Sequence, residues 1–324
     1  MRKKEMTSDF VSTERFAKHF AEYCGTRYAL GVANGQDALK LIIRAHGFGA
    51  GDEIIVPSNT YIATVLAVSE NGCTPVLVEP DIHTYNIDPD KIEAAIAPKT
   101  KAIIVTHLYG QAVQMKKIWE LSMMYGLKVF EDCSEAHGAL YQGVRAGNLA
   151  HAGVFSFCPG KNLDCAGDGG AVVTNDEYLC QRVKVLAKYS RLDELQAAVL
   201  DVKLPHLDAD NARRREIAAY YRKNITNPLI ILPETYDENA AVWHVFAVRT
   251  QERDRFQQYL TDNGVQTIIH YPTPPHKQLA YTEWNNRSYP VAEEICRTVV
   301  SLPISPVLTD DEVRQVTEVV NAYR

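Results

Sequence analysis

Four short stretches of this chain carry residue types that could do chemistry together. Ser156-Phe157-Cys158-Pro159-Gly160-Lys161 sets one lysine just past an apolar run, on a loop stiffened by proline and glycine. A lysine taken out of water there is favoured as the neutral amine and becomes available for Schiff-base chemistry; a solvated loop lysine is the ordinary alternative. Asp132 follows the apolar run Leu127–Phe130 and precedes Cys133-Ser134-Glu135-Ala136-His137-Gly138. Carboxylates at the carboxyl ends of sheet strands sit where open α/β folds bind ligands. Val32-Ala33-Asn34-Gly35-Gln36-Asp37-Ala38-Leu39 is a turn feeding a helix start, whose free N–H groups and positive dipole end suit one phosphate. Asn59-Thr60-Tyr61-Ile62-Ala63-Thr64 offers an aromatic at a strand-to-helix junction, placed to stack on a flat ring or to join the core.

Each stretch has an ordinary structural reading by itself. Taken together they supply an amine, an acid, a phosphate cradle and a stacking face, the parts required by a pyridoxal 5′-phosphate (PLP) site. Other motifs fail on inspection. Gly47-Phe48-Gly49-Ala50-Gly51 follows a helix, so it is a helix stop and turn instead of a dinucleotide loop. Pro159-Gly160-Lys161-Asn162 has Phe155 where a phosphate loop needs glycine, and no Ser or Thr follows the lysine. Cys133, Cys158 and Cys165 flank the site, but nothing places a base beside them.

These residues must be held by a mostly parallel sheet wrapped in helices, because β-branched runs alternate with helical periods over the first two-thirds of the chain. Expected strands are Glu53–Ser58, Pro75–Glu79, Ala102–Tyr109, Lys128–Ser134, Gly153–Phe157 and Gly170–Asn175. A helix over Gln36–His46 carries Ala38, Leu41, Ile42 and Ala45 on one face. From Arg191 a long helix runs toward Tyr221, with Arg213-Arg214-Arg215 as a solvated face. The final third then changes style, with strands at His244–Arg249 and Val265–Tyr271 around a helix at Arg253–Asn263, and two closing helices. The last of these opens on the capping box Thr309-x-x-Glu312. The expected division is a large domain over 1–205 and a small C-terminal domain over 206–324.

Composition narrows the class. The 324 residues hold 34 Lys and Arg against 40 Asp and Glu, a net charge of −6, so a nucleic-acid binder is disfavoured. With 46% hydrophobic residues the chain can build a sizeable core, and no apolar run is long enough to span a membrane. The basic start Met1-Arg2-Lys3-Lys4 runs into polar residues, unlike a secretory signal. Seven scattered cysteines without a CxxC fit a reducing, cytoplasmic setting, with neither a disulfide framework nor a metal site.

The order of Asn34-Gly35-Gln36-Asp37-Ala38-Leu39, Glu131-Asp132-Cys133-Ser134-Glu135-Ala136-His137-Gly138, Phe155-Ser156-Phe157-Cys158-Pro159-Gly160-Lys161-Asn162-Leu163, Gly167-Asp168-Gly169-Gly170 and Arg191-Leu192-Asp193-Glu194-Leu195-Gln196-Ala197-Ala198 resembles the sugar aminotransferases of the DegT/DnrJ/EryC1/StrS family. The resemblance covers most of residues 13–324. It implies the fold-type-I PLP architecture: a large α/β domain with a seven-stranded, mostly parallel sheet, a smaller C-terminal α+β domain, and active sites at a homodimer interface. Carried over by position, Lys161 matches the Schiff-base lysine and Asp132 the partner of the pyridinium nitrogen. Gly35, Gln36 and Ser156 match phosphate contacts, Tyr61 the aromatic on the ring, and Glu135 a residue near the ring hydroxyl.

The implied reaction moves an amino group from L-glutamate to a nucleotide-linked keto-6-deoxy sugar. Asn34-Gly35-Gln36, His107-Leu108-Tyr109-Gly110-Gln111 and the stretch His270-Tyr271-Pro272-Thr273-Pro274-Pro275-His276-Lys277-Gln278 look most like members that aminate C3 of a dTDP-linked sugar. Amination at C4 and a non-catalytic regulatory member remain the alternatives. Lys161 stands where sugar-dehydrating relatives carry His, which argues against dehydration. Relatives usually carry a longer segment ahead of Thr13, and a loop before Ser190 whose Asn reaches the partner subunit's cofactor phosphate. Here Lys188-Tyr189 runs directly into Ser190-Arg191. Both shortfalls lie where mobile, substrate-covering loops are expected, so the natural chain is expected to be longer at both places.

Overall fold

Near-continuous apolar runs belong to strands covered on both faces, and the computed structural model, which describes residues 11–324, gathers them into one seven-stranded sheet. In chain order the strands are β1 (Tyr28–Val32), β2 (Glu53–Pro57), β3 (Thr74–Val78), β4 (Thr100–Thr106), β5 (Lys128–Asp132), the small hairpin β6 (Leu140–Tyr141) and β7 (Val144–Arg145), then β8 (Ala152–Ser156) and β9 (Gly170–Thr174). The sheet order is β1-β9-β8-β5-β4-β2-β3. β2, β3, β4, β5 and β8 pair in parallel, and β9 runs antiparallel between β8 and β1.

Side chains alternate across this sheet with period two. Ile54, Ala102, Ile104 and Phe130 enter one core cluster. Their neighbours Ile55, Ile103, Val105 and Val129 enter another. Helices α1 (Val11–Cys24), α2 (Gly35–Ala45), α3 (Ile62–Ser69), the single turn α4 (Pro89–Ile92), α5 (Met115–Tyr125) and α6 (Glu177–Leu186) pack around it.

Beyond the sheet come α7 (Glu194–Lys203), α8 (Leu207–Asn224), β10 (Phe246–Arg249), α9 (Arg253–Asp262), α10 (Pro290–Thr298), β11 (Val299–Leu302) and α11 (Asp310–Ala322). β10 and β11 pair antiparallel. Tyr221, Phe246, Phe256 and Val316 build a core of their own there. Thr309 and Glu312 form the reciprocal capping box that opens α11.

Several elements differ from the sequence expectations. Strand β1 carries no strong pattern of its own, because Gly31 interrupts it; a Cβ there would lie 2.8 Å from Leu192 Cβ, so the glycine permits a close approach. The expected strand at Ala102–Tyr109 ends at Thr106, since Leu108–Gly110 turns with Tyr109 at φ 60°. Val265–Tyr271 forms no strand: Ile268 makes a lone bridge to Ser301 and is 64% exposed, so the run lacks a consistent buried face. The second strand of the pair is instead β11, directly after a helix end that hides its short pattern. The long helix breaks at Leu204–His206, where Pro205 supplies no N–H donor. Finally, Arg213-Arg214-Arg215 is not a solvated face throughout, because Arg214 is only 8% exposed.

Candidate active site

The carboxyl ends of the parallel strands deliver the polar groups. Asp132 is the last residue of β5 and is buried. Its Oδ2 accepts from Thr64 Oγ1 at 2.7 Å and its Oδ1 from the Ser134 N–H at 3.1 Å. Thr64 Oγ1 lies 3.1 Å from Thr60 Oγ1, which lies 3.0 Å from Thr106 Oγ1. A hydroxyl has one proton to give. Thr64 spends its proton on the carboxylate, so the chain of donors runs Thr106 to Thr60 to Thr64 to Asp132.

The start of α2 is the capped helix N-terminus on which the expected phosphate site rests. Asn34 caps it, with Oδ1 accepting from the Asp37 N–H at 2.8 Å. The N–H groups of Gly35 and Gln36 have no acceptor within the helix. A Cβ on Gly35 would lie 2.8 Å from Ser156 Cβ and 3.3 Å from Ser134 Oγ, so glycine lets the helix start meet both serines. The Gln36 side chain turns away to Glu70, with Nε2 2.9 Å from Oε1, and offers the cradle only its main-chain N–H. Ser190 Oγ donates to Asp37 Oδ2 at 2.5 Å, which docks the Tyr189–Ser190 junction beside the same turn.

Lys161 sits on the loop after β8, where Gly160 N–H donates to Asp164 Oδ2 at 2.9 Å and the lysine's own N–H to Cys158 O at 3.2 Å. Its Nζ is 3.4 Å from Glu135 Oε1 and 3.5 Å from His244 Nε2. The expected desolvated lysine is thus met by a carboxylate. Glu135 also accepts from Tyr271 OH at 2.6 Å and from the Tyr109 N–H at 2.8 Å. Burial pushes the Glu135 carboxyl up, but the Lys161 charge, with the hydrogen bonds from Tyr271 and the Tyr109 N–H, outweighs it and holds its pKa at about 2.

The His244 tautomer follows from its neighbours. Asn162 Nδ2 donates to Val242 O at 3.0 Å and to Asn211 Oδ1 at 2.9 Å, so its Oδ1 is the atom facing His244 Nδ1 at 3.1 Å. Nδ1 therefore carries the proton and Nε2 presents a lone pair to Lys161. Burial, reinforced by the Lys161 charge, lowers the His244 pKa well below the usual imidazole range.

Gly35, Gln36, Tyr61, Asp132, Glu135, Ser156, Lys161 and Tyr271 all line one cavity of about 310 Å³. Tyr61 caps the start of α3 and is 54% exposed, with its ring centroid 5.1 Å from that of Tyr271. The donor set suits PLP: N–H groups and serines toward a phosphate at one end, a carboxylate oriented by two donors, and an amine reaching the same space. A family model described as the DegT/DnrJ/EryC1/StrS aminotransferase family matches residues 1–321. The chain belongs to that family. It is a PLP-dependent aminotransferase.

Relatives of this aminotransferase agree over nearly its full length. It is 58% identical over 322 residues, 95% of this chain and 89% of the other, to a dTDP-3-amino-3,6-dideoxy-alpha-D-galactopyranose transaminase from Aneurinibacillus thermoaerophilus. The crystal structure of S. venezuelae DesV in complex with a ketimine intermediate superposes with a TM-score of 0.93 at 45% identity, covering 96% of this chain and 88% of that one. NtdA from Bacillus subtilis with bound cofactor PMP superposes with a TM-score of 0.87 at 31% identity, covering 95% and 76%.

Two residues expected near the substrate part company in the aminotransferase. His270 lines a neighbouring cavity with Lys161, its Nδ1 2.9 Å from Ser301 Oγ. His276 does not join them: it is fully buried, packs on Tyr289 and pairs through Nε2 with Glu293 Oε1 at 2.8 Å, so it anchors the proline-rich loop. His244 and Thr64 were not among the expected site residues. His244 is separated from Lys161 by 83 positions and lies just ahead of an ordinary apolar strand, so no spacing announces it. Thr64 lies three residues after Tyr61, and a threonine in an apolar helical stretch carries no signal of its own. Elsewhere His107, Glu131 and Cys133 bring ligand-type atoms within 4.8 Å of one another. Their polar atoms serve the fold instead: Glu131 accepts from Gly147 N–H at 2.7 Å and Leu149 N–H at 2.8 Å, and His107 bridges Glu131 to the Val113 N–H.

Proposed function

We propose that this aminotransferase moves the amino group of L-glutamate to C3 of a dTDP-linked 3-keto-6-deoxyhexose. The observation that carries the reading is one cavity reached by Lys161 Nζ, Asp132 and the N–H groups that open α2. The sugar and its position are supported by the activity of the Aneurinibacillus relative, a dTDP-3-amino-3,6-dideoxy-alpha-D-galactopyranose transaminase at 58% identity.

When bound, PLP supplies an aldehyde carbon for the transferred amine and a ring that accepts electrons. Gly35 and Gln36 N–H groups and the Ser156 hydroxyl would hold its phosphate. Asp132 would keep a proton on the ring nitrogen, Glu135 would stand near the ring hydroxyl, and Tyr61 would shield one face of the ring from water. Lys161 Nζ takes the proton from the donor carbon and returns it to the acceptor carbon. His244 Nε2 accepts a hydrogen bond from Nζ and steers it. His270 and Tyr271 line the side open to the sugar nucleotide.

The working unit in this reading is a homodimer, which would cover the half-exposed Tyr61. All seven cysteines are free, which supports a reducing, cytoplasmic setting, and a deoxyamino sugar of this kind suits cell-surface polysaccharide synthesis. Incubating the PLP-loaded protein with glutamate and a panel of 3-keto and 4-keto sugar nucleotides, followed by NMR of the product, tests the reading. The expected result is 2-oxoglutarate with an amine on C3; amination confined to C4, or none, overturns it.

A further inference from the structure

Among the described residues, four that are not glycine hold φ in the left-handed region: Tyr85, Tyr109, Gln142 and Trp243. Three of them meet at one junction. Tyr109 (φ 60°, ψ 10°) lies in the turn after β4, with its ring centroid 5.5 Å from that of Tyr85. Its carbonyl accepts from the His244 N–H at 3.0 Å, and the Gly110 carbonyl accepts from the Val242 N–H at 2.9 Å, so the two bonds flank Trp243. A side chain held at such a φ is strained, and the strain persists only where the surroundings over-determine it, which is commonest at working sites.

The surroundings do so here. Asn86 is 3% exposed and staples the turn from behind. Its Oδ1 accepts from the Leu108 N–H at 2.9 Å, and its Nδ2 donates to the Gln111 carbonyl at 2.9 Å. Gly110, itself at φ 96°, lets the turn close on the neighbouring chain: a Cβ there would lie 2.8 Å from the main-chain nitrogens of both Trp243 and His244.

The consequence reaches the amine. The Tyr109 N–H donates to Glu135 Oε2 at 2.8 Å while its carbonyl takes the His244 N–H. Glu135 Oε1 lies 3.4 Å from Lys161 Nζ, and His244 Nε2 lies 3.5 Å from it. Both partners of the amine are thus tied to the peptide groups of one residue. The Tyr109 hydroxyl adds a third tie, donating to the His270 carbonyl next to Tyr271, whose own hydroxyl donates to Glu135. The directions of an N–H and a C=O on one residue are set by φ and ψ together, so an ordinary negative φ at 109 would turn one of them away from its partner.

We propose that Tyr109 is a positioning residue for the transamination, whose left-handed backbone sets Glu135 and His244 within reach of Lys161 Nζ. The proposal rests on the reading of Lys161 as the reacting amine. It gives the tyrosine no contact with substrate. What counts at 109 is tolerance of φ 60° more than the side chain itself.

The test compares Tyr109→Asn, Tyr109→Val and Gly110→Ala with wild type. Asparagine enters the left-handed region readily and a β-branched residue does not, although valine is the better filler of an apolar core. A packing role therefore ranks valine above asparagine, and the positioning role ranks them the other way. The readout is the titration of the His244 ring, followed by NMR in cofactor-free protein carrying isotope-labelled histidine, with His244→Gln identifying the signal. In wild type, burial and then the Lys161 charge hold this ring neutral well below the usual imidazole range; Glu135 pulls the other way, while Arg214 and His270 add to the push.

Tyr109→Val should move the His244 midpoint up by about one pH unit or more, toward the ordinary ~6.5, and Tyr109→Asn by less than about half of that. Gly110→Ala leaves residue 109 unchanged but pushes the 242–244 chain away, so it should shift the midpoint as valine does. It decides if the valine variant does not fold by circular dichroism. If neither folds, a folded Tyr109→Asn with the wild-type titration upholds the role and a shifted one overturns it. A folded valine or alanine variant that titrates like wild type, or an asparagine variant that shifts as far as valine or unfolds while valine folds, leaves Tyr109 a packing residue and overturns the proposal. PLP-loaded wild type is mixed with glutamate alongside: a cofactor spectrum that does not change sinks the donor reading, while the His244 titration still decides the role of Tyr109.

Discussion

Thr64 Oγ1 donates to Asp132 Oδ2 across 2.7 Å, joining the first turn of α3 to the end of β5. The bond orients the carboxylate that lines the Lys161 cavity, and two further hydroxyls behind it fix the direction of the proton. Thr64→Val keeps the shape and removes the donor. Losing a hydrogen bond to a buried carboxylate costs about 1–3 kcal/mol, so PLP affinity should fall about 10–100-fold. A PLP absorbance titration reads it, and Thr64→Ser should restore most of the loss. Wild-type affinity in the valine variant would falsify the orienting role.

Asp132→Asn tests the charge itself. An ion pair at ~4 Å with an effective dielectric of about 20 is worth roughly 4 kcal/mol, or about three orders of magnitude in rate. Turnover should nearly vanish while circular dichroism and Tm stay native. In parallel, borohydride treatment of the PLP-loaded wild type should leave its label on Lys161 by peptide mass. A label on any other lysine would remove the basis of the assigned site.

Gly35→Ala probes the close approach between α2 and β8. The added Cβ would sit 2.8 Å from Ser156 Cβ, and overpacking of this kind costs about 1–3 kcal/mol. Because the strain falls on the phosphate cradle, PLP affinity should drop by about tenfold or more, with the sheet intact. Unaltered PLP binding would show that the cradle tolerates the methyl group and that the phosphate lies elsewhere.

Acid should destabilise the folded chain in a defined direction. His137 is buried between Phe155 and Phe157, and burial, with the nearby Lys161 charge, lowers its pKa to about 3. His244 is lowered as well, by burial and then by Lys161. Both rings are neutral when folded, whereas in the unfolded chain they take up protons near pH ~6.5. Below that pH the unfolded state binds more protons, so stability falls as pH drops, for His137 down to about pH 3. Glu135 adds to the loss between its ordinary value of 4.5 and its folded value of about 2, as the paired carboxylate is protonated. Urea midpoints should therefore decline from about pH 7 to about pH 5, and His137→Phe should flatten that slope. A midpoint that rises toward acid would contradict the buried neutral imidazoles.

The chemistry-bearing residues on strand ends were legible in the sequence because each follows a strong local pattern. Asp132 and Lys161 each stand just past an apolar run, and Gly35 opens a capped amphipathic helix; periodicity places such residues without knowledge of the rest of the chain. The family motifs around them were legible for the same reason, being local and contiguous. Only the tertiary structure could decide which distant groups meet them. His244 reaches Lys161 from 83 positions away, Arg214 turns inward from a helix whose triple arginine looks solvated, and His276 turns away to Glu293 although His270 stays beside the lysine. Strand β1 and the irregular Val265–Tyr271 run escaped for a related reason: edge position, a glycine and a lone bridge are settled by packing partners, and packing partners leave no mark on local spacing.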